Sequence, residues 1–366
     1  MRCRNLSILT AGLLVLWAAQ SVRAEPYLAV RTGLKCVSCH VNPTGGGLRN
    51  DYGLVFAKTL LPAHSLPADT PDWTGRISDW LRVGGDVRAS AVDTEIPHRP
   101  SRQEFSLDQA RLYAALNLIP DKLGIVLDEL VAPGSSQAME VYVRYGNPAQ
   151  GWYLKGGKFY LPFGWRLQDN TAFVREVSGI NMAIPDTGFE VGFEAPKWSG
   201  QLDLTNAEGT LGAHPQATSD HAVTGQLVRI ESFGRLGVAA SFAHTDLGNR
   251  REAGVFAGTR TGPVVWLGEF DWVKDEDFPN GAFSQTAALA EADWEMRRGH
   301  NLKFTAELVD PDRDTRGDTQ KRWSVVYELT PISFVQLRAG WRRYDGDSQV
   351  DFQNTSLVFL ELHGFF

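Results

Sequence analysis

The chain has 366 residues, 43% hydrophobic and only 22% charged, with 36 Lys and Arg against 43 Asp and Glu for a formal charge of −7. That acidic balance gives no reason to expect nucleic acid as a partner, and after the first two dozen residues no apolar run reaches the roughly 20 residues of a membrane helix. Plentiful Gly (36), Phe (19), Trp (11) and Tyr (9) suit a sheet protein whose strands alternate in polarity.

The first residues carry Arg2 and Arg4, then an apolar run from Leu6 to Ala19, then Val22-Arg23-Ala24. A charged start, a short greasy middle and small residues at a cut predict a secretory signal peptide over 1–24, cleaved after Ala24; a membrane anchor would need a longer run. Removal takes three arginines and no acid, so the formal charge moves to −10. Cys3 leaves as well, and the exported protein keeps only Cys36 and Cys39. No disulfide framework beyond that one pair is then available.

Residues 36–40 read CVSCH. In an exported protein the pattern C-x-x-C-H is the attachment signature of a c-type haem: two thiols three apart add to the porphyrin vinyl groups, and the adjacent His40 imidazole reaches the iron as proximal ligand. The rival chemistries fit less well. A zinc knuckle needs four ligands, a thioredoxin-like pair wants a strand-to-helix setting whereas Val41-Asn42-Pro43 follows here, and a Cys36–Cys39 disulfide closes too small a loop to stabilise much. No acid or base beside the motif supports peroxidase-like enzymology, so no catalytic residues are assigned.

The flanks YLAVRTGLKC (Tyr27 to Cys36) and VNPTGGGLRNDYG (Val41 to Gly53) resemble a short monohaem segment that precedes β-barrels in some bacterial outer-membrane proteins. Gly45 to Gly47 would let backbone approach a flat ring edge closely. His64 is the nearest candidate for the distal iron ligand, a solvated linker histidine being the alternative reading of it, with His98 or a distant Met as other candidates. The haem-binding segment is expected over 25–60, too short to fold without covalent help or packing against a barrel mouth. Pro62, Pro67 and Pro71 make 61–76 an expected extended linker.

From residue 77 to 366 the sequence breaks into segments of about ten residues with period-two alternation, separated by Gly, Pro, Asp and Asn. In LRVGGDVRASA (Leu81 to Ala91) one face is apolar and the other charged. The apolar face gathers aromatics near segment ends, at Trp266, Trp272, Trp294, Trp323 and Trp341. A soluble β-sandwich would also alternate, but long alternating spans with aromatic girdles are what an outer-membrane barrel requires. Strands are expected near 77–92, 104–119, 123–131, 139–146, 151–162, 188–196, 199–208, 220–232, 234–246, 251–261, 264–275, 283–298, 300–309, 320–330, 333–344 and 354–366. The predicted fold is therefore all-β, a transmembrane antiparallel β-barrel of about 16 strands, within a range of 14 to 18, wide enough for a water-filled lumen. Pro120 to Leu123 and Ser232 to Arg235 suit periplasmic turns.

One connection is too long for a turn: Phe163 to Thr187. Folded inward it would bring Arg166, Asp169, Arg175 and Glu176 to a pore constriction; as an extracellular loop it would leave them solvated. The GKFYLPFG stretch (Gly157 to Gly164) resembles a strand-and-corner motif of phosphate-selective porins, which implies an anion-binding basic constriction. The expected inner face here mixes signs, with Arg88, Glu140, Arg144, Asp293, Glu295, Lys303, Glu307 and Arg338. The closing VFLELHGFF resembles the terminal strand by which bacterial outer-membrane barrels are recognised for insertion.

Together these readings predict a porin-like barrel in the cell outer membrane, with one covalent haem c on a periplasmic segment. Its expected partners are outer-membrane lipid, periplasmic c-type cytochromes or other electron carriers, and small solutes, with a homotrimer as a further expectation. The alternative function is a passive porin in which the haem is structural.

Overall fold

The computed structural model describes residues 25–67, 73–208, 220–246, 248–277 and 281–366. The expected signal peptide, 1–24, and residues 68–72 of the expected linker lie outside them. Sixteen strands form among the described residues. The first eight are β1 (Leu81–Glu95), β2 (Arg102–Ile119), β3 (Leu123–Ala132), β4 (Gln137–Gly146), β5 (Trp152–Phe159), β6 (Asp186–Ala195), β7 (Trp198–Thr205) and β8 (His221–Glu231). The second eight are β9 (Gly234–Thr245), β10 (Gly248–Thr261), β11 (Val264–Glu276), β12 (Phe283–Arg297), β13 (His300–Asp310), β14 (Gln320–Ile332), β15 (Val335–Asp345) and β16 (Ser356–Phe365). Each pairs antiparallel with its sequence neighbours, and β1 pairs with β16 to close the ring. The expected strands and the observed ones agree in number and order, with ends shifted by a few residues. The largest shift is at β1, which starts at Leu81 because the preceding residues form bends instead.

Alternation explains which way each strand faces. Along β9, Leu236, Val238 and Phe242 are exposed outward while Arg235, Ala239 and Ser241 are buried inside. Leu202, Leu204, Phe189, Val191, Val255 and Leu360 continue the exposed apolar exterior around the ring. Such a surface is stable only in lipid, where a closed sheet leaves no backbone group unpaired. Trp152, Trp198, Trp266 and Trp294 ring the end with short turns, and Trp323 and Trp341 lie toward the end with long loops. These are the two aromatic girdles of a membrane barrel.

The interior differs from the expected water-filled lumen. Two inserted segments fill it, and the side chains that line it are buried against them. One is residues 160–185, which leaves the long-loop end and folds inward around helix α3 (Phe173–Ser178). The other is the N-terminal segment, residues 25–67, which lies inside the short-turn end rather than outside it. Its helix α1 (Pro26–Thr32) starts on a proline and stops at Gly33, whose φ of 70° is the left-handed conformation that ends helices. Tyr27 and Val30 of α1 join Phe163, Trp165, Leu167, Phe173, Phe256 and Leu267 in one apolar core. Gly258 in the β10 wall makes room for this meeting: a Cβ there would lie 2.9 Å from Val30, 2.9 Å from Leu267 and 3.0 Å from Trp165.

Charge fixes the plug as well as apolar contact. Arg31 pairs with Glu295 at 3.2 Å, Lys303 with Glu25 at 3.3 Å, and Lys35 with Glu194 at 2.9 Å. The mixed-sign inner face read from the sequence is real, and Arg88, Glu140, Asp293, Lys303, Glu307 and Arg338 are all buried; Lys303 and Glu140 hold the plug, whereas Arg88 and Arg338 pair with carboxylates of the wall itself. The expected free linker also differs at its start. Ala63 and His64 donate backbone N–H groups to Thr330 and Pro331 on β14, at 2.8 and 3.1 Å, so this stretch is bound to the barrel rim.

Candidate functional site: a cysteine and histidine pocket inside the barrel

A single 3-10 turn, Cys36–Ser38, brings the two cysteines to one side and continues into His40 through hydrogen bonds from Cys39 N–H and His40 N–H to the Cys36 carbonyl, 3.1 and 3.0 Å. After His40 the backbone doubles back. Val41 N–H donates to the Leu48 carbonyl at 2.9 Å, and the bend between them is made by Gly45, Gly46 and Gly47 with φ of 92°, 75° and 60°. Three consecutive left-handed residues require glycine. Closeness adds a second demand, since a Cβ on Gly45 would lie 3.2 Å from the Cys36 Cβ.

The turn is held from both sides. Asn50 caps helix α2 (Asp51–Thr59) by accepting from Gly53 N–H at 2.9 Å, and its Nδ2 donates to the Val37 and Ser38 carbonyls at 3.0 and 3.1 Å. Gly53 presses on the motif, for a Cβ there would lie 2.1 Å from the Cys39 carbonyl oxygen. On the barrel side, Asn42 donates to both carboxylate oxygens of Glu140 at 2.8 and 2.9 Å, and Arg144 donates to the Val41 carbonyl at 2.9 Å. The local fold of the motif is thus set by its own glycines and asparagines, and its position by the wall.

Cys36, Cys39 and His40 open onto one cavity, with some 1410 Å³ of empty space including the part open to solvent. Phe56, Ala57 and Leu61 of the plug, Phe163 and Trp165 of the inserted segment, and Val228, Ile230 and Phe256 of the wall give it an apolar lining. Both thiols are free and half-buried. Burial pushes the Cys36 thiol up, against the opposing pull of Arg235 and Arg166, and burial with the neighbouring Cys36 raises Cys39. Burial, then the charges of Arg49 and Arg166, hold His40 down at about 3, so its imidazole is neutral and able to offer a nitrogen lone pair to a metal. Its Nδ1 is buried, and the backbone of Gly46 and Gly47 lies within hydrogen-bonding reach of the ring. Among the described residues no group of three or more His, Cys, Asp or Glu is arranged to hold a metal ion.

His64 is not part of this cavity. It is exposed on the barrel rim, paired with Ile332, because the backbone bonds to β14 carry it away from the motif. His98 is farther still, at the long-loop end beside Asp351. His40 is the one histidine of the cavity wall among the described residues.

The expected constriction residues also have other destinations. Arg166 donates to Thr44 Oγ1 and, at 2.6 Å, to the Gly45 carbonyl, which places it at the cysteine pocket. Asp169 accepts from Arg342 and pairs with Arg322 at 3.1 Å. Arg175 is buried against Glu269 and donates to the Phe163 carbonyl at 2.6 Å. Of the four, only Glu176 is exposed. The inserted segment does turn inward, but three of these side chains fasten it there instead of facing a channel. Sequence reasoning missed Arg49, Glu194 and Arg235 as cavity residues. The inward parity of Arg235 was legible in β9; what it would meet, more than 190 residues earlier in the sequence, was not.

Neither a protein-family model nor any curated protein sequence matches the chain. Solved structures do. The chain is similar to an anion-selective porin from Comamonas acidovorans, with a TM-score of 0.64 at 11% identity, covering 78% of this chain and 99% of that one. It is similar to the outer-membrane channel DcaP of Acinetobacter baumannii, with a TM-score of 0.59 at 13% identity over 78% and 97%. Pseudomonas putida OprB gives 0.60 at 10% identity over 78% and 94%. At these identities the likeness is one of fold: a closed 16-strand barrel of the outer-membrane porin type.

Proposed function

We propose that this protein is a porin-type outer-membrane barrel whose periplasmic end holds its own N-terminal segment as a plug, and that the plug carries one covalent c-type haem. The sidedness follows from the turns, since outer-membrane barrels keep short turns on the periplasmic side. The observation that carries the haem is the convergence of Cys36, Cys39 and His40 on one apolar cavity, with free thiols, a neutral imidazole and glycines where a Cβ would intrude. Cys36 and Cys39 would each add S–H across a vinyl C=C, sulfur to the inner carbon and hydrogen to the terminal one. His40 would supply the axial nitrogen. Bound there, the group supplies one-electron chemistry tuned by its axial ligands and burial.

Passage of small solutes is the function favoured by the likeness to solved porins, one of them named as anion-selective. In that reading the haem staples the plug, and flow is restricted to the room the plug leaves. A second reading, electron exchange with periplasmic cytochromes or other carriers, is favoured by the filled lumen, since buried wall charges paired with the plug do not line an open channel. One haem cannot span an apolar band about 25 Å tall, so transmembrane transfer would need a further redox partner. By analogy with Vibrio cholerae OmpT, which is described in a trimer form, a homotrimer is part of the proposal.

Two measurements test this. Protein purified in detergent from a host competent in cytochrome maturation should stain for haem on a denaturing gel and lose the stain in Cys36→Ser/Cys39→Ser; a colourless wild type sinks the haem. Planar-bilayer conductance then separates the two jobs. Open, redox-indifferent channels support solute passage, and closed channels in a protein whose haem is reduced by carriers support electron exchange.

A further inference from the structure

Two arginines of the cavity have spare donors. Arg235, the second residue of β9, is 9% exposed; its Nη2 donates to the Ala29 and Leu34 carbonyls at 2.8 and 2.7 Å, while its Nε is buried without a partner. Arg166 reaches the cavity from the inserted segment, held through Nη1 by Thr44 and Gly45 and stacked 5.2 Å from the Tyr160 ring, with Nη2 buried and without a partner. Neither guanidinium has a carboxylate within ion-pairing distance among the described residues. The nearby Glu194 is used elsewhere, accepting from Lys35 at 2.9 Å and from Ser199 at 2.6 Å.

A buried guanidinium without a counter-ion is costly, and its remaining donors fit the planar oxygen pair of a carboxylate. Both arginines line the same pocket as Cys36, Cys39 and His40, and both charges reach the Cys36 thiol. Resting on the haem reading above, we infer that Arg235 and Arg166 bind the propionate carboxylates of the haem. One comes from the barrel wall and one from the inserted segment, so the cofactor would be tied by charge to the barrel as well as by sulfur to the plug. Arg235 would also link the two, because the same guanidinium holds the plug through Ala29 and Leu34.

Removing a cation beside a propionate destabilises the reduced haem relative to the oxidised one, which carries one more positive charge. The test is a redox titration, followed by absorbance, of detergent-purified holoprotein carrying Arg235→Gln or Arg166→Gln, with Arg235→Lys as the charge-keeping control. The expected result is a lower potential in each Gln variant, by about tenfold in the equilibrium constant, or about 59 mV for one electron, with most of it restored by Arg235→Lys. Should one Gln variant fail to fold, the other reads the same pairing from the opposite side of the cofactor. A coloured wild type with unmoved potentials in the Gln variants that fold overturns this assignment alone. A colourless wild type overturns the haem reading and this assignment with it.

Discussion

Gly258→Ala isolates the contact that seats the plug. The added Cβ would meet Val30 and Leu267 at 2.9 Å and Trp165 at 3.0 Å, against roughly 3.5–4.0 Å for comfortable carbon contacts. The backbone there needs no left-handed angle, so the whole effect is one of space. Overpacking of this kind costs about 1–3 kcal/mol. Leu267 belongs to the wall and Trp165 to a segment fastened by buried ion pairs, so the strain is relieved most easily by lifting α1. If all of it is relieved that way, the ratio of docked to undocked plug falls about 5- to 150-fold. Trypsin reads this ratio in detergent micelles, because Arg31, Lys35, Arg49 and Lys58 all lie in the plug, and cleavage follows the open population when closing is fast. Gly364→Ala is the control, since a Cβ there meets nothing within 4 Å. Adding Val30→Ala should recover part of the loss, a non-additivity expected of touching residues. Cleavage of Gly258→Ala at the wild-type rate, with an unchanged barrel melt, would refute the seating of α1 against β10.

Three further outcomes are expected. Lys35→Met should speed tryptic cleavage at Arg31 and Arg49, since it leaves the Glu194 carboxylate, 4% exposed, without its cation at about 1–3 kcal/mol; equal rates would remove Lys35 from the account. Asn50→Ala should cost about 0.5–2 kcal/mol as a lost helix cap and strip hydrogen-exchange protection from Gly53, whose N–H bonds to the Asn50 side chain, while Leu54, bonded to the Asn50 backbone carbonyl, keeps its partner. Val238→Arg, on the lipid face of β9, should destabilise urea-dependent folding into vesicles by about 2–4 kcal/mol while Val238→Leu does not, and an indifferent midpoint would mean that this face does not meet lipid.

The barrel was legible because its signal is local. Each strand shows its two faces within ten residues, and turn residues separate one strand from the next, so Leu236-x-Val238-x-Ala240-x-Phe242 states its orientation without knowledge of any neighbour. The cysteine motif was legible for the same reason. The filled lumen was not, because it depends on pairs such as Arg31 with Glu295 and Lys35 with Glu194, separated by some 160 to 260 residues. Strand number alone implied an open interior and took no account of the N-terminal residues, 25–67, available to occupy it. For His64 the sequence left an iron ligand and a solvated linker histidine both open: nearness in sequence to His40 counts for less than two backbone hydrogen bonds from its stretch to β14. The sequence likewise left an inward fold and a solvated loop both open for Arg166, and its target, the Gly45 carbonyl, lies in a loop whose shape follows from three glycines and not from any periodicity.

The seam of the ring ties the two ends of the polypeptide together. The last strand zips onto the first from Asp86–Phe365 to Glu95–Ser356, and the beginning of the polypeptide is caught beneath that join, with Arg49 resting 4.3 Å over the Phe365 ring and Leu48 against Gly84. Both ends of the polypeptide therefore meet at one join, and loosening the last strand there would also uncover the loop that follows His40.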